Sequence, residues 1–396
     1  MTRSEKELMW MIERDANPDG LTPEELDQIK REIVPYLLEE FERRSDCLGR
    51  SNILRILGKI RDERVGEFLI NYLKEPRPEC SGVGLKALAE FPDHPQAKEV
   101  FVRYLHSDEV EEREPAALGL YRLGDPRGIK YLLYEIEDIH PVLKKRLGLP
   151  PSGFVALTLG KLGDPRAIDP LFRKLGEFGW FAAKALIDIA QKNERETKEY
   201  TINKAAEMLG GPSRLSGISY LLHAFLPFLW LTKRSIRVSR SFWAPYILCM
   251  LGDERGLPTM VENLGYENPS IWGAGGGNMA IHALGGLNTD KALRILARHV
   301  KEPEIENCIE ASFTYRDFED DPLLKVVGID MERLRKERIE DDRLLLSHII
   351  TRRIDYKTLA LETRKRDERF KQMAKEALQD FRLTYGEKGL DNPEVG

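Results

Sequence analysis

The amino-acid sequence predicts an all-α fold built as an α-solenoid, and three observations carry that prediction. A junction segment, Leu159-Gly160-Lys161-Leu162-Gly163-Asp164-Pro165-Arg166-Ala167-Ile168, recurs in altered copies that reach their capping residue at Asp62, Asp93, Asp125, Asp253 and Thr289. The aspartates at 62, 93, 125 and 164 are spaced by 31, 32 and 39 residues, inside the window of about 20–50 residues typical of stacked repeats. Counting back from each cap, the second position (Ile60, Phe91, Leu123, Leu162, Leu251, Leu287) and the fifth (Leu57, Leu88, Leu120, Leu159, Leu248, Leu284) are apolar throughout. That spacing marks one helix face turned toward a core.

Each junction reads as a helix end followed at once by a helix start. Gly163 suits the left-handed backbone that closes one helix, and Asp164 suits the cap that accepts the free amides of the next. Pro165 fits the first helical position, where its missing N–H is no loss. In the last copy Asn288 and Thr289 stand in for Gly and Asp, each the next-best residue for its task. The fourth position back is mostly small (Gly58, Ala89, Gly160, Cys249, Gly285), with Tyr121 the exception. Small residues there let adjacent helices approach closely, so Cys249 reads as a spacer.

On these residues the chain resembles the HEAT-like repeat family, in the short subtype first described in phycobilin lyases, whose repeats carry the same Leu-Gly-Asp-Pro-Arg-Ala junction. The resemblance covers roughly residues 50–300 with one interruption. It implies a right-handed superhelix of about six or seven helical hairpins with an extended protein-binding surface. It also implies two alternatives, since some members of the family handle bilins and others bind DNA or act as DNA glycosylases.

Composition fits a helical repeat protein: 396 residues, 32% charged and 42% hydrophobic, with a net charge of −5. The acidic balance weighs against a dedicated nucleic-acid binder, which ordinarily carries a basic excess. Met1-Thr2-Arg3-Ser4-Glu5-Lys6-Glu7 is followed by no apolar core of a signal peptide, so a cytoplasmic location is expected. Cys47, Cys80, Cys249 and Cys308 lie far apart without CxxC pairing, which predicts reduced thiols and no thiol-rich metal site. None of the seven histidines is followed by Glu, unlike the paired His-Glu ligands of the iron-binding HEAT-like hydroxylases. With no GxSxG or HExxH motif either, the sequence predicts no catalytic residue, no metal and no cofactor.

Taken in order, residues 1–49 form a helical lead-in, with Thr22 and Glu25 placed as a capping box. Asp15-Ala16-Asn17-Pro18-Asp19-Gly20 matches the first half of a calcium loop, but Leu26 replaces the closing Glu, so a plain turn is expected. The repeats occupy 50–316. Between Asp164 and Asp253, 89 residues apart, one further hairpin is expected, with helices near 181–191 and 196–209 before an irregular segment at 210–240. The apolar run from Leu215 to Leu231 falls short of the roughly 20 residues of a spanning helix, and His223 and Pro227 interrupt it. A buried helix is expected there, with interfacial membrane contact the lesser reading. Beyond 317 the junction stops and charged helices over 331–343 and 359–383 serve as a solvated C-terminal cap.

Three features bear on function. No acidic residue lies between Glu207 and Asp253, while Lys233, Arg234, Arg237 and Arg240 cluster beside Trp243 and Tyr246. That combination suits an anionic partner, whether an acidic protein, nucleic acid or a lipid headgroup, with an acidic protein surface the leading expectation. The third and seventh positions before the caps hold Arg55, Lys59, Lys86, Arg122 and Lys161, a prospective basic stripe, although the helix dipole also favours cations in a last turn. In later units Tyr246, Met250 and His282 take those places, turning the stripe adhesive. Finally, Gly275, Gly276, Gly277 and Asn278 lead into the helix bearing His282 and could cradle an anion. They lack the strand–turn–helix context of a phosphate loop, which favours a packed turn; Trp272 and His282 remain of interest there. The reading that follows is a non-catalytic scaffold for a protein partner.

Overall fold

The computed structural model describes residues 23–76, 78–137, 153–209, 233–264, 279–314, 321–340 and 356–386, and among them every regular element is helical. The expected Thr22 cap, the 15–20 turn, the apolar run 215–231, Trp272 and the glycine cluster 275–278 lie outside the described residues. Two compact units emerge, Met1–Pro150 with Lys336–Glu362 and Pro151–Arg335 with Thr363–Gly396.

The first unit contains α1 (Pro23–Arg43), α2 (Cys47–Ile60), α3 (Glu63–Lys74), α4 (Ser81–Leu88), α5 (Ala97–Leu105), α6 (Val110–Arg122) and α7 (Pro126–Glu137). The helices that precede the junctions stack in series, α2 on α4 and α4 on α6, while α3 packs on α5 and α1 covers α2. The second unit contains α8 (Gly153–Leu162), α9 (Ile168–Phe178), α10 (Trp180–Lys192), α11 (Arg195–Ala206), α12 (Lys233–Met250), α13 (Leu257–Glu262), α14 (Met279–Leu287), α15 (Asp290–His299), α16 (Glu302–Thr314) and α17 (Pro322–Val327). Here the series runs α8, α10, α12, α14, α17, each packed on the next. Helices α10 and α11 are the further hairpin expected between Asp164 and Asp253. A helix over 331–340 (α18) and a long α19 (Tyr356–Tyr385) follow.

The junction geometry is the expected one with an added part. Gly124, Gly163 and Gly252 take φ of 70°, 74° and 88°, and Asn288 takes 51° in the same role. Asp62, Asp125, Asp164 and Asp253 each accept the amide two residues on through Oδ1, at 3.0–3.1 Å. The residue two on is an arginine every time, and its Nε donates to the same Oδ1 at 2.9 Å. Its Nη2 reaches Oδ2 at 2.6–2.9 Å. Each joint is therefore a cap and a bidentate ion pair in one, and the arginine is what keeps a largely buried carboxylate paired.

The copy at Asp93 departs from this. Helix α4 closes at Leu88, and α5 opens only at Ala97 behind Gln96, which makes no side-chain cap bond. Pro92 and Pro95 bias Phe91 and His94 away from helical backbone, which delays the start. Conversely, the region beyond 317 holds one more start of the junction type: Asp321 caps α17, with Oδ1 accepting from the Leu323 and Leu324 amides at 2.8 and 3.3 Å.

Close helix approach at the fourth position is realised. A Cβ on Gly58 would stand 2.9 Å from Ala87 Cα, on Gly160 2.7 Å from Ala185 Cα, and on Gly285 3.0 Å from Leu323 Cα. The fifth-position leucines, Leu57, Leu88, Leu120, Leu159, Leu248 and Leu284, are fully buried. The second position is mixed, with Ile60, Leu251 and Leu287 buried but Phe91, Leu123 and Leu162 partly exposed.

Two expectations are corrected. Cys47 and Cys80 are not free thiols but a disulfide pair with Cα atoms 6.1 Å apart. Their separation of 33 residues is one repeat, so they occupy matching places at the starts of the stacked α2 and α4. Nor is α19 a merely solvated cap: Phe370, Met373, Ala374, Leu378 and Phe381 form a buried stripe at helical spacing. Arg382 Nη2 donates to the Val300 carbonyl at 2.8 Å. No helix among the described residues is long and apolar enough to cross a membrane.

Replacing Gly160 with Leu gains about 1 kcal/mol of helix propensity but overpacks against the Ala185 backbone at a cost of about 1–3 kcal/mol. Overpacking outweighs the gain in propensity, so the urea midpoint falls; an unchanged midpoint would contradict the close approach. At the joint, Arg166 holds the Asp164 carboxyl below its ordinary 3.8 despite partial burial. Asp164→Ala should lower stability by about 1–2 kcal/mol at neutral pH. Because the folded value is depressed, the difference from wild type persists above 3.8 and shrinks as pH falls below it. Urea titrations of both proteins from neutral pH downward read this directly.

Candidate functional site

Three polar side chains meet in the interior of the second unit. His282 projects from α14, a short apolar helix that packs on α12 and α17. Cys308 comes from α16 and Asp321 from the cap of α17. Cys308 Sγ lies 3.4 Å from His282 Nε2, and His282 Nδ1 lies 3.2 Å from Asp321 Oδ2. Cys308 and Asp321 are each 4% exposed, and the His282 side chain 17%.

Electrostatics binds the group together. Burial alone would push the imidazole down, but Asp321 and then Cys308 outweigh it and hold His282 well above 6.5. Burial likewise pushes the Asp321 carboxyl up, and the His282 charge, the His282 bond and the Leu324 and Leu323 amides reverse that and hold it low. The result is an imidazolium–carboxylate pair in a largely dry setting. Against it stands Tyr246 of α12, whose phenol burial pushes up to about 12. Cys249, one turn further along α12, is fully buried and pushed up to about 12 for the same reason.

One donor atom from each of His282, Cys308 and Asp321 can be chosen so that all lie within 4.8 Å of one another, the scale of a metal-binding group. The donors, however, are committed to each other in line. Asp321 Oδ1 takes two backbone amides and Oδ2 takes His282 Nδ1, leaving Nε2 to face the sulfur. A chain of this form orients an imidazole against a thiol rather than converging on a central ion.

The residues chosen from sequence are placed differently. Arg55, Lys86, Arg122 and Lys161 are exposed and Lys59 is half-buried. Arg122 is already engaged across the stack, donating to the Ala89 carbonyl at 2.8 Å and to Glu90 at 2.6 Å. Arg55 bonds Asn52 on its own helix at 3.2 Å. Tyr246 is 6% exposed, so it is a core residue and not a contact residue, and Trp243 stands half-buried between Phe242 and Tyr246, with edge-on ring distances of 5.0 and 5.5 Å. His282 likewise faces inward, so the adhesive continuation of the stripe does not form at these two positions. The side chains of Lys233, Arg234, Arg237 and Arg240 lie outside the described residues, although their backbone belongs to α12.

Sequence reasoning singled out His282 but missed its partners, which lie 26 and 39 residues further on. The Asp321-Pro322 pair was the one available signal, since it repeats the Asp–Pro helix start of Asp164. The chain matches no family model and no curated protein.

A raised imidazole stabilises the fold below 6.5, and that contribution is lost as pH rises through the folded value. The stability gap between wild type and His282→Gln, measured by urea denaturation across pH, should therefore be widest at and below 6.5 and narrow above it. A gap independent of pH would show that His282 is uncharged in the fold.

Proposed function

We propose that this protein is a HEAT-like repeat scaffold, a right-handed superhelix that presents an extended surface to a protein partner with an acidic face. The observation that supports this reading is the aspartate–arginine joint, repeated with one geometry at Asp62, Asp125, Asp164 and Asp253. A joint that repeats, with pre-junction helices stacked in series inside each unit, is how solenoids propagate and how they create long binding surfaces. In the first unit Arg55 and Lys86 stand exposed on the neighbouring helices α2 and α4. The sequence adds Lys233, Arg234, Arg237 and Arg240 within α12. A cytoplasmic setting belongs to the same proposal, with the Cys47–Cys80 pair then subject to cellular reductants.

The test is affinity capture from lysate read by mass spectrometry. Wild type is compared with Arg55→Glu/Lys86→Glu and with Lys233→Glu/Arg234→Glu/Arg237→Glu/Arg240→Glu, all three matched for thermal melting. A defined set of proteins captured by wild type and lost in one variant is the expected result. Recovery of nucleic acid or pigment with no specific protein would replace the scaffold by one of the other activities found among HEAT-like proteins.

A further inference from the structure

We propose that Cys308 is a nucleophilic cysteine, set against the His282 ring that Asp321 orients, and that it reacts with small neutral electrophiles of the peroxide class. The inference goes beyond the scaffold reading and does not depend on it.

The geometry is that of an activated nucleophile: a sulfur within bonding reach of one ring nitrogen, and a carboxylate on the other. Nε2 is 3.4 Å from Sγ and Nδ1 is 3.2 Å from Oδ2. Asp321 cannot swing away, because its other oxygen is fixed by the Leu323 amide at 2.8 Å as the cap of α17. His282 thus has Nδ1 held by Asp321 and Nε2 facing the sulfur, the placement from which the ring can exchange a proton with Cys308. The phenol that faces it from α12, Tyr246, stays neutral, pushed up to about 12. Cys249 of α12 supplies an internal contrast, a buried thiol in the same unit that burial and the Asp253 charge push up to about 12.

Burial of Cys308 selects the substrate. A nearly dry site penalises charged reactants, so the electrophile proposed is small and uncharged. With hydrogen peroxide the thiolate sulfur attacks one oxygen, the S–O bond forms and the O–O bond breaks. The departing hydroxide takes the Nε2 proton and leaves as water. Sulfur is oxidised to the sulfenic acid by two electrons, peroxide is reduced, and His282 is left neutral.

The test is native alkylation of the full chain with iodoacetamide, quantified separately for Cys308 and Cys249 by peptide mass spectrometry. At about pH 6 an ordinary thiol is only ~0.3% thiolate. An ion-paired thiolate, allowing for its lower intrinsic nucleophilicity, should react about tenfold faster or more. Cys308 is therefore expected to outpace Cys249 by at least about tenfold, and His282→Gln to remove that advantage while leaving Cys249 unchanged. Should that variant fold poorly, the pH profile of wild type decides. The Cys308 rate stays nearly flat from about pH 8 to 5 for an ion pair and falls about tenfold per unit for an ordinary thiol. Equal rates at the two cysteines, a steep profile, or labelling of Cys308 only after chelator treatment would overturn the proposal, the last by assigning the cluster to a metal.

Discussion

Four hairpin joints, at Asp62, Asp125, Asp164 and Asp253, depend on one contact, that between an aspartate carboxylate, the first free amides of the helix it caps, and the arginine two residues on. A helix start leaves amides without intrahelical partners, and a carboxylate there satisfies one of them while meeting the positive end of the dipole. Asp62, Asp125 and Asp164 do this while 9% exposed or less, where an unpaired charge would be costly. The arginine resolves that conflict by supplying two further donors to the same group. The preceding residue is in the left-handed conformation at 124, 163 and 252, which ends the incoming helix and lets the outgoing one start at once.

The stack also depends on what is missing from the helix surfaces. Gly58 and Gly160 face backbone atoms of the helix they pack on closer than a Cβ can stand, and Gly285 faces the Leu323 backbone at the 3.0 Å limit, while the leucines one residue before them, Leu57, Leu159 and Leu284, are fully buried. The glycines weaken their own helices, and the burial they permit outweighs that loss. The polar cluster sits where the packing places it: His282 in α14 meets Asp321 because Gly285, one turn later, lets α14 close on the start of α17.

The joints were legible because their physics is local. Cap, left-handed residue and apolar spacing all act within about one helical turn, so Gly163, Asp164 and Asn288 could be assigned from neighbours in the chain alone. The arginine clamp was equally local and still went unread. Arg64, Arg127, Arg166 and Arg255 share an Asp-x-Arg spacing that a cap alone does not require. Asp93 was misassigned because two prolines override a sound local pattern.

What the sequence by itself determined is an all-helical chain, the placing of most helix starts and ends, and the leucine face that is buried. Tertiary structure alone decided which remaining side chains face inward and what they meet. Tyr246 became a core residue, His282 turned inward, Cys47 found Cys80 one repeat away, α19 buried an apolar stripe, and Cys308, His282 and Asp321 came into line. The reason is geometric. Periodicity fixes the angle of a residue around its own helix, but a partner across the interface depends on the rotation and stagger of a second helix, and those are set by packing throughout each unit.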